Sequence, residues 1–153
     1  MKFILLLVSL FSFKHSDAID TVSAKVVGVK DGDTYLVLYN KTQITIRLEH
    51  VDCPEKKQAY GQVAKQFGSN FCFGKMVKVL WKGSKDRNGR WIAEIYFLDK
   101  CLNKELVKNG LAWHFKKYSK SLEYSNLELE ARKNKLGLWK DISPIAPWEW
   151  RKK

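Results

Sequence analysis

The chain has 153 residues, 45% of them hydrophobic, and contains 28 Lys and Arg residues against 16 Asp and Glu residues. This length suffices for one domain that buries roughly two-thirds of its unfolded surface, so no structural metal or cross-link is needed for the chain to fold. The net charge of +12 favours a polyanionic partner, nucleic acid before membrane, although a merely soluble basic protein has the same composition.

The first eighteen residues form a segment of their own. Lys2 is followed by the apolar run Phe3–Phe13, and Ser16 and Ala18 are small residues at a spacing that signal peptidase tolerates. The run is shorter than the roughly 20 residues of a membrane-spanning helix, so a cleaved signal is favoured over a permanent anchor. We therefore expect a signal peptide at 1–18, a folded domain at 19–141, a secreted or periplasmic location and no stable membrane association after cleavage.

A β-hairpin is predicted next. Apolar and polar residues alternate from Ile44 to Glu49, which predicts a strand with Arg47 on its polar face. Tyr35–Tyr39 predicts the preceding strand, and Asn40-Lys41 predicts a tight turn between the two. Antiparallel pairing about this turn brings Thr34 opposite Arg47.

Three carboxylates are expected beside Arg47 at one end of this hairpin. Asp33 precedes the first strand, and Asp52 and Glu55 follow the second strand at the same end, where Pro54 keeps the chain extended. A set of acids around one guanidinium suits a catalytic or metal-binding rim. The alternative is that these acids only cap turns and pair with Arg47.

The rest of the chain alternates between helical and strand patterns, and together with the hairpin it predicts an α+β domain. Apolar residues at three- and four-residue intervals indicate amphipathic helices, and alternating apolar runs beside turn signals indicate strands. In chain order we predict a helix at Gln58–Phe73, strands at Met76–Lys82 and Trp91–Phe97, a short helix capped by Asn103 and ending at Gly110, and a helix from Ser121 to Leu136 stopped by Gly137.

The tail at 142–153 is rich in Pro and Trp. We expect Pro144 and Pro147 to prevent a helix there. A strap packed on the domain is favoured over an exposed contact with nucleic acid or membrane, because buried tryptophans more often serve packing.

Among the cysteines, Cys72 and Cys101 are the better candidates for a disulfide, although free buried thiols are favoured over that bond.

Four motifs resemble, in order, those of the staphylococcal nuclease family. They are D-G-D-T at 31–34, I-R-L at 46–48, V-D-C-P-E at 51–55 and D-R-N-G-R at 86–90, and the resemblance covers about 24–139. It implies a five-stranded OB-fold β-barrel with three α-helices. The residue patterns predict the same order, three strands, a helix, two strands and two helices, when one strand before the hairpin is counted with those named above.

The same resemblance implies a metal-dependent endonuclease of micrococcal-nuclease type that hydrolyses DNA and RNA and leaves 3′-phosphates. Carried over by position, its metal ligands are Asp33, Asp52 and the main-chain carbonyl of Cys53. Hard oxygen donors of this kind suit Ca²⁺, whereas zinc prefers His and Cys, which show no paired ligand spacing in this chain. The ion is expected to act as a Lewis acid.

The chemistry of phosphodiester hydrolysis suggests a role for three further residues. Glu55 is expected to act as general base or to orient the attacking water. Arg47 and Arg90 are expected to bind the charged oxygens of the transition state, because a planar forked donor does this better than lysine. Arg90 is also a candidate to assist the leaving 5′-oxygen.

Candidate substrate-binding residues lie later in the chain. Of two tyrosines that family members place near the base, Tyr118 is present and Lys116 stands at the other position. Trp113 or Phe115 is an alternative base-stacking residue, although aromatic residues near a helix end more often belong to the core. We expect the protein to act as a monomer.

Two other classes of function stay open. One is a non-catalytic nucleic-acid-binding module on the same fold, but such modules typically lose the acids or arginines that this chain retains. The other is a basic cell-surface or lipid-binding protein, which predicts membrane association without metal-dependent cleavage.

Overall fold

A computed structural model describes residues 20–153, and the signal peptide predicted at 1–18 lies outside the described residues. The strands are β1 (Asp20–Asp31), β2 (Thr34–Tyr39), β3 (Thr42–Leu48), β4 (Val51–Asp52), β5 (Met76–Lys85), β6 (Trp91–Phe97), β7 (Lys100–Cys101) and β8 (Trp113–His114). The helices are α1 (Gly61–Cys72), α2 (Leu102–Lys108), α3 (Leu122–Lys133) and α4 (Pro147–Trp150), and a 3-10 helix spans Gly137–Lys140.

Five of the strands close into a barrel. β1 lies between β2 and β5, β3 pairs with β2, and β6 pairs with β5, all antiparallel. Parallel pairing between β3 and β6 then closes the ring, while β7 extends the edge of β6. This α+β architecture confirms the predicted OB-fold barrel.

The β2–β3 hairpin has the predicted register. Asn40 and Lys41 have φ angles of 47° and 62°, which are the left-handed values of a two-residue turn between twisted strands. Because so short a turn fixes the pairing, Thr34 lies opposite Arg47. This register places the polar end of β3 beside the D-G-D turn that precedes β2.

Helix α1 anchors that turn through close packing on the barrel. The hydroxyl of Tyr35, which is fully buried, donates a 2.9 Å hydrogen bond to the carbonyl of Gly32. A Cβ atom on Gly68 of α1 would lie 1.8 Å from that hydroxyl, so only glycine permits this approach. The D-G-D turn is therefore held by a buried tyrosine that the helix covers.

Two capping predictions were wrong. Asn103 does not cap α2, which begins at Leu102; its buried side chain instead donates to the carbonyls of Glu49 and Ala93 and accepts from the amide of Ile95. This asparagine ties α2 to the barrel because it hydrogen-bonds three main-chain groups there. Gly137, with φ 51°, starts the 3-10 helix and does not end α3, which stops at Lys133.

The tail also differs from the prediction, since it contains a fourth α-helix. Pro147 occupies the first turn of α4, where its missing amide hydrogen costs nothing because the first amides of a helix have no partner inside the helix. Proline therefore starts this helix instead of preventing it.

Cys53, Cys72 and Cys101 are all free and buried. No helix within residues 20–153 is long and apolar enough to cross a membrane.

Candidate active site

Arg47 lies at the centre of the rim where β3 ends. Its Nη1 donates to the carbonyls of Leu48 and Val51 at 2.9 and 2.8 Å, and its Nη2 lies 2.9 Å from Asp52 Oδ1 and 3.2 Å from Asp33 Oδ2. Burial alone would lower the pKa of Arg47, but the charges of Asp33 and Asp52 raise it above its ordinary value. The guanidinium is thus fixed in place, and within residues 20–153 only its Nε lacks a hydrogen-bond partner.

Asp33 is oriented from both sides. Its Oδ2 accepts a 2.8 Å hydrogen bond from the amide of Cys53, and its Oδ1 accepts one from the hydroxyl of Thr34 at 3.2 Å. Together with the ion pair to Arg47, these bonds hold the carboxylate against the chain segment that follows β3. Asp33 and Asp52 therefore lie next to each other, since both contact the same nitrogen of Arg47.

A fourth carboxylate, Asp31, belongs to this rim although the sequence analysis did not select it. Its Oδ1 accepts from the amide of Asp33 at 3.4 Å. Burial, with a smaller contribution from the charge of Asp33, raises the pKa of Asp31 to about 6. The first acid of the D-G-D motif was the signal that could have identified it.

Asp52 is nearly inaccessible to solvent, with 1% of its surface exposed. Burial raises its pKa, and the hydrogen bonds and charges of two guanidiniums oppose that rise. One guanidinium belongs to Arg47. The other belongs to Arg151, whose Nη2 lies 2.8 Å from Oδ2 and whose Nη1 lies 3.3 Å from Oδ1 of Asp52.

Glu55 lies on the loop that leads to α1 and is more exposed than the other acids, with 39% of its side chain accessible. Its amide donates to Gln58 Oε1 at 3.0 Å, which fixes the loop. Its carboxylate accepts from Arg151 Nη1 at 2.7 Å. The structure therefore brings Asp33, Arg47, Asp52 and Glu55 into one network, and Arg151 is a fifth member that the sequence analysis missed.

Arg90 does not contact these acids. Its Nε lies 2.6 Å from Asp86 Oδ2, within its own turn. The turn precedes β6, whose first residue Trp91 pairs with Ile46 of β3. Arg90 consequently lies at the base of the strand that neighbours Arg47, with its guanidinium directed to Asp86.

The predicted substrate-binding residues line a groove beside the acids. Strand β8 pairs with β4, so Trp113 lies opposite Asp52. The groove has a volume of about 590 Å³, and its lining includes Lys116, Tyr118 and Arg151. Tyr118 is 73% exposed, as a side chain that stacks on a base would need to be.

Trp113 and Phe115 are half-buried, and each packs against an aromatic ring of the tail. Trp113 packs edge-on against Trp139 and Trp148, with ring centroids 4.5 and 5.4 Å apart, and the guanidinium of Arg132 covers its ring. Phe115 stacks on Trp148 at 5.4 Å. Both aromatic rings therefore hold the tail against the groove, which agrees with the packing alternative considered for them.

Within residues 20–153, no group of three or more His, Cys, Asp or Glu side chains is arranged to hold a metal ion. The two side chains expected as metal ligands, Asp33 and Asp52, could hold an ion only together with main-chain oxygen, water and substrate. These donors are all hard oxygens, and the carboxylates lie side by side. The donor set fits a weakly held Ca²⁺ better than zinc or another nitrogen- or sulfur-seeking metal.

Comparison with known proteins identifies relatives over most of the chain. The family described as staphylococcal nuclease homologue matches residues 45–141, a match that ends before the tail. An uncharacterized endonuclease of Haemophilus influenzae is 40% identical over 132 residues, which are 85% of this chain and 73% of the relative. An uncharacterized endonuclease of Escherichia coli O157:H7 is 36% identical over 98% of this chain and 97% of its own length. A micrococcal nuclease of Shigella flexneri is 35% identical over 84% of this chain and 79% of its own length.

Proposed function

The chain belongs to the staphylococcal nuclease family, and on this premise we propose that it is an exported, Ca²⁺-dependent nuclease that hydrolyses phosphodiester bonds of DNA and RNA with little sequence specificity. Nuclease activity itself is supported by the family and by the names of the relatives. The observation that carries the proposal for this chain is the network of Asp33, Arg47, Asp52 and Glu55 at the rim of the barrel.

Asp33, Asp52 and the carbonyl of Cys53 are the residues that would hold the Ca²⁺ ion. When bound there, the ion supplies a positive charge that polarises a phosphoryl oxygen. The exposure of Glu55 supports its role, because an accessible carboxylate can contact the water that it activates. In this mechanism Glu55 takes the proton of the attacking water.

Two arginines stabilise the additional negative charge that develops on the phosphoryl group. Arg47 is held by four contacts to carbonyls and carboxylates, so its remaining N–H group requires no reorganisation before the reaction. The Nε of Arg90 is held by Asp86, so a phosphate would bind its terminal guanidinium nitrogens or replace Asp86 at Nε. We assign Arg90 to the leaving 5′-oxygen, so that the products carry 3′-phosphates.

The strongly basic chain and the groove beside the acids support a nucleic-acid substrate. The net charge of +12 attracts the phosphate backbone without regard to sequence. Exposed Lys116 and Tyr118 offer a cation and an aromatic ring along the groove, which suits binding of unpaired nucleotides. The leader-like segment at 1–18 supports export of this monomeric enzyme to the cell exterior or the periplasm.

Substitution of the acids separates the proposed roles. Glu55→Gln should retain the fold and the Ca²⁺ affinity but lose roughly 10²- to 10⁴-fold in cleavage rate, the range expected for loss of a general base. Asp33→Asn should instead weaken Ca²⁺ binding. Glu130→Gln is the matched control, since it removes a carboxylate from the exposed side of α3, away from the rim.

The assay is cleavage of plasmid DNA and of RNA by the mature protein, with Ca²⁺ or with a chelator, together with Ca²⁺ titration by calorimetry. Equal cleavage by wild type and Glu55→Gln would show that Glu55 has another role. A wild-type protein that binds nucleic acid but cleaves neither substrate would support the alternative of a non-catalytic binding module. Sedimentation with lipid vesicles in place of cleavage would support a membrane-surface protein.

A further inference from the structure

The tail carries a guanidinium into the active site. Arg151 contacts both oxygens of Asp52, at 2.8 Å from Nη2 and 3.3 Å from Nη1, and the same Nη1 lies 2.7 Å from Glu55. One planar group therefore connects an acid that is buried with an acid that is partly exposed. The tail follows the part of the chain that carries the four family motifs, so no motif assigns this residue a role.

The position of Arg151 is set by the packing of the tail. Ala146 and Pro147 are buried, and Trp148 stacks on Phe115 with ring planes 10° apart. Gln58 connects the tail to the loop that carries Glu55. Its side chain accepts a hydrogen bond from the amide of Glu55 and donates one to the carbonyl of Ile145. The Glu55 loop and the start of the tail are thus held by one buried side chain.

Glu55 depends on Arg151 for the orientation of its carboxylate. Within residues 20–153, Arg151 is the only group that hydrogen-bonds the side chain of Glu55. A partly exposed glutamate without that bond would sample several rotamers, whereas a general base must stay within hydrogen-bond reach of the water that it activates. The guanidinium keeps this carboxylate beside Asp52, a ligand of the proposed metal site.

We propose that Arg151 is a positioning residue of the active site, which holds the carboxylate of Glu55 next to Asp52 and so completes a catalytic arrangement that the barrel alone does not provide. The proposal rests on the function proposed above for Glu55. It also predicts an effect on the metal, because Arg151 places a positive charge on a carboxylate that would bind Ca²⁺.

The test compares Arg151→Ala and Arg151→Lys with Lys153→Ala. The control removes the same charge from the same tail, but Lys153 lies over the ring of Trp150 and contacts none of the acids. At saturating Ca²⁺, Arg151→Ala should lower kcat by roughly 10- to 100-fold with little change in KM relative to Lys153→Ala, since misplacing a catalytic group impairs chemistry more than binding. Arg151→Lys should recover part of the loss because it keeps one charged donor.

A double-mutant cycle shows whether Arg151 acts through Glu55. In the Glu55→Gln background, Arg151→Ala should change kcat by less than about threefold, because the group that it positions has already lost its function. A second readout does not need cleavage: calorimetry should find that Arg151→Ala binds Ca²⁺ several-fold more tightly than wild type, while Lys153→Ala does not. Thermal unfolding of each variant monitors the fold.

The outcomes are distinguishable. If wild type cleaves, two results would show that the positioning role is wrong. One is a kcat of Arg151→Ala equal to that of Lys153→Ala. The other is an equal loss of kcat from Arg151→Ala in the wild-type and Glu55→Gln backgrounds. If Arg151→Ala has a higher kcat than wild type, the tail is a removable latch instead of a part of the site. If wild type does not cleave, the proposed function fails, and Ca²⁺ affinity unchanged by Arg151→Ala would then also reject the contact with Asp52.

Discussion

Replacement of Arg47 by alanine tests whether this residue stabilises the protein in addition to its proposed role in catalysis. The substitution removes hydrogen bonds to two carbonyls and leaves the carboxylates of Asp33 and Asp52 without their shared partner. Both acids are buried, with 7% and 1% of their surfaces exposed. An unpaired charge in such a position cannot be solvated by water, so the folded state loses free energy.

The size of the loss follows from the remaining contacts. Removal of one partner of a buried ion pair costs about 3 to 5 kcal/mol. Asp33 keeps its bonds to the Cys53 amide and the Thr34 hydroxyl, and Asp52 keeps Arg151, so the lower end of that range, about 3 kcal/mol, is expected. This is a large part of the total stability of a domain of this size, which is about 5 to 15 kcal/mol.

Urea unfolding at neutral pH in the presence of a chelator measures this loss. Arg90→Ala is the matched control, because Arg90 pairs with Asp86 at a partly exposed site and such pairs contribute about 1 kcal/mol or less. The deficit of Arg47→Ala should shrink when Ca²⁺ is added at the proposed site or when the pH is lowered, since burial raises the pKa of Asp52 and either change neutralises its stranded carboxylate. A loss no greater than that of Arg90→Ala would refute this reasoning.

Three further predictions concern pH, thiols and processing. Burial lowers the pKa of His114 from its ordinary 6.5, so the unfolded state binds a proton first as the pH falls. Because of this residue, the free energy of unfolding should decrease from pH 7 to 5 by up to about 1.4 kcal/mol per pH unit. In urea titrations, His114→Gln should reduce this dependence on pH. Thiol titration of the denatured, unreduced protein should find three thiols, and a single thiol would show that one disulfide has formed, for which Cys72 and Cys101 are the better candidates. Mass spectrometry of natively expressed protein should find an N-terminus near Ile19, whereas an intact Met1 on soluble cytoplasmic protein would contradict export.

The parts of the site that could be predicted from sequence are those determined by short-range geometry. A two-residue turn fixes the pairing of β2 with β3, so the positions of Asp33 and Arg47 follow from the alternation of apolar and polar residues. Asp52 and Glu55 follow within a few residues of that strand. The barrel closure between β3 and β6 was reached only through the family resemblance, because a parallel contact across some 45 residues leaves no local signal.

Arg151 could not be predicted because its position depends on packing between distant segments. It meets Glu55 across 96 residues of sequence, through a short helix that proline starts and a tryptophan that stacks on Phe115. The two prolines were interpreted as barriers to helix formation, although a proline at the first helical position favours a helix. The prediction that Asn103 caps a helix was wrong for a related reason. Its side-chain amide hydrogen-bonds main-chain groups of the barrel and not the first turn of α2.

The contrast between the arginines explains why three are present at one site. Asp86 accepts from the amides of Asn88 and Arg90 and from the Arg90 side chain, so the D-R-N-G-R motif is a closed turn that holds its own guanidinium at a partly exposed position. Arg47 is fixed to Asp33 and Asp52, and Arg151 to Asp52 and Glu55. Only Arg90 is held by an acid outside the network, and an exchange of that acid for a phosphate would leave Asp33, Asp52 and Glu55 undisturbed. In the mechanism proposed above, this separation would let Arg90 follow the leaving oxygen while Arg47 and Arg151 keep the acids in place.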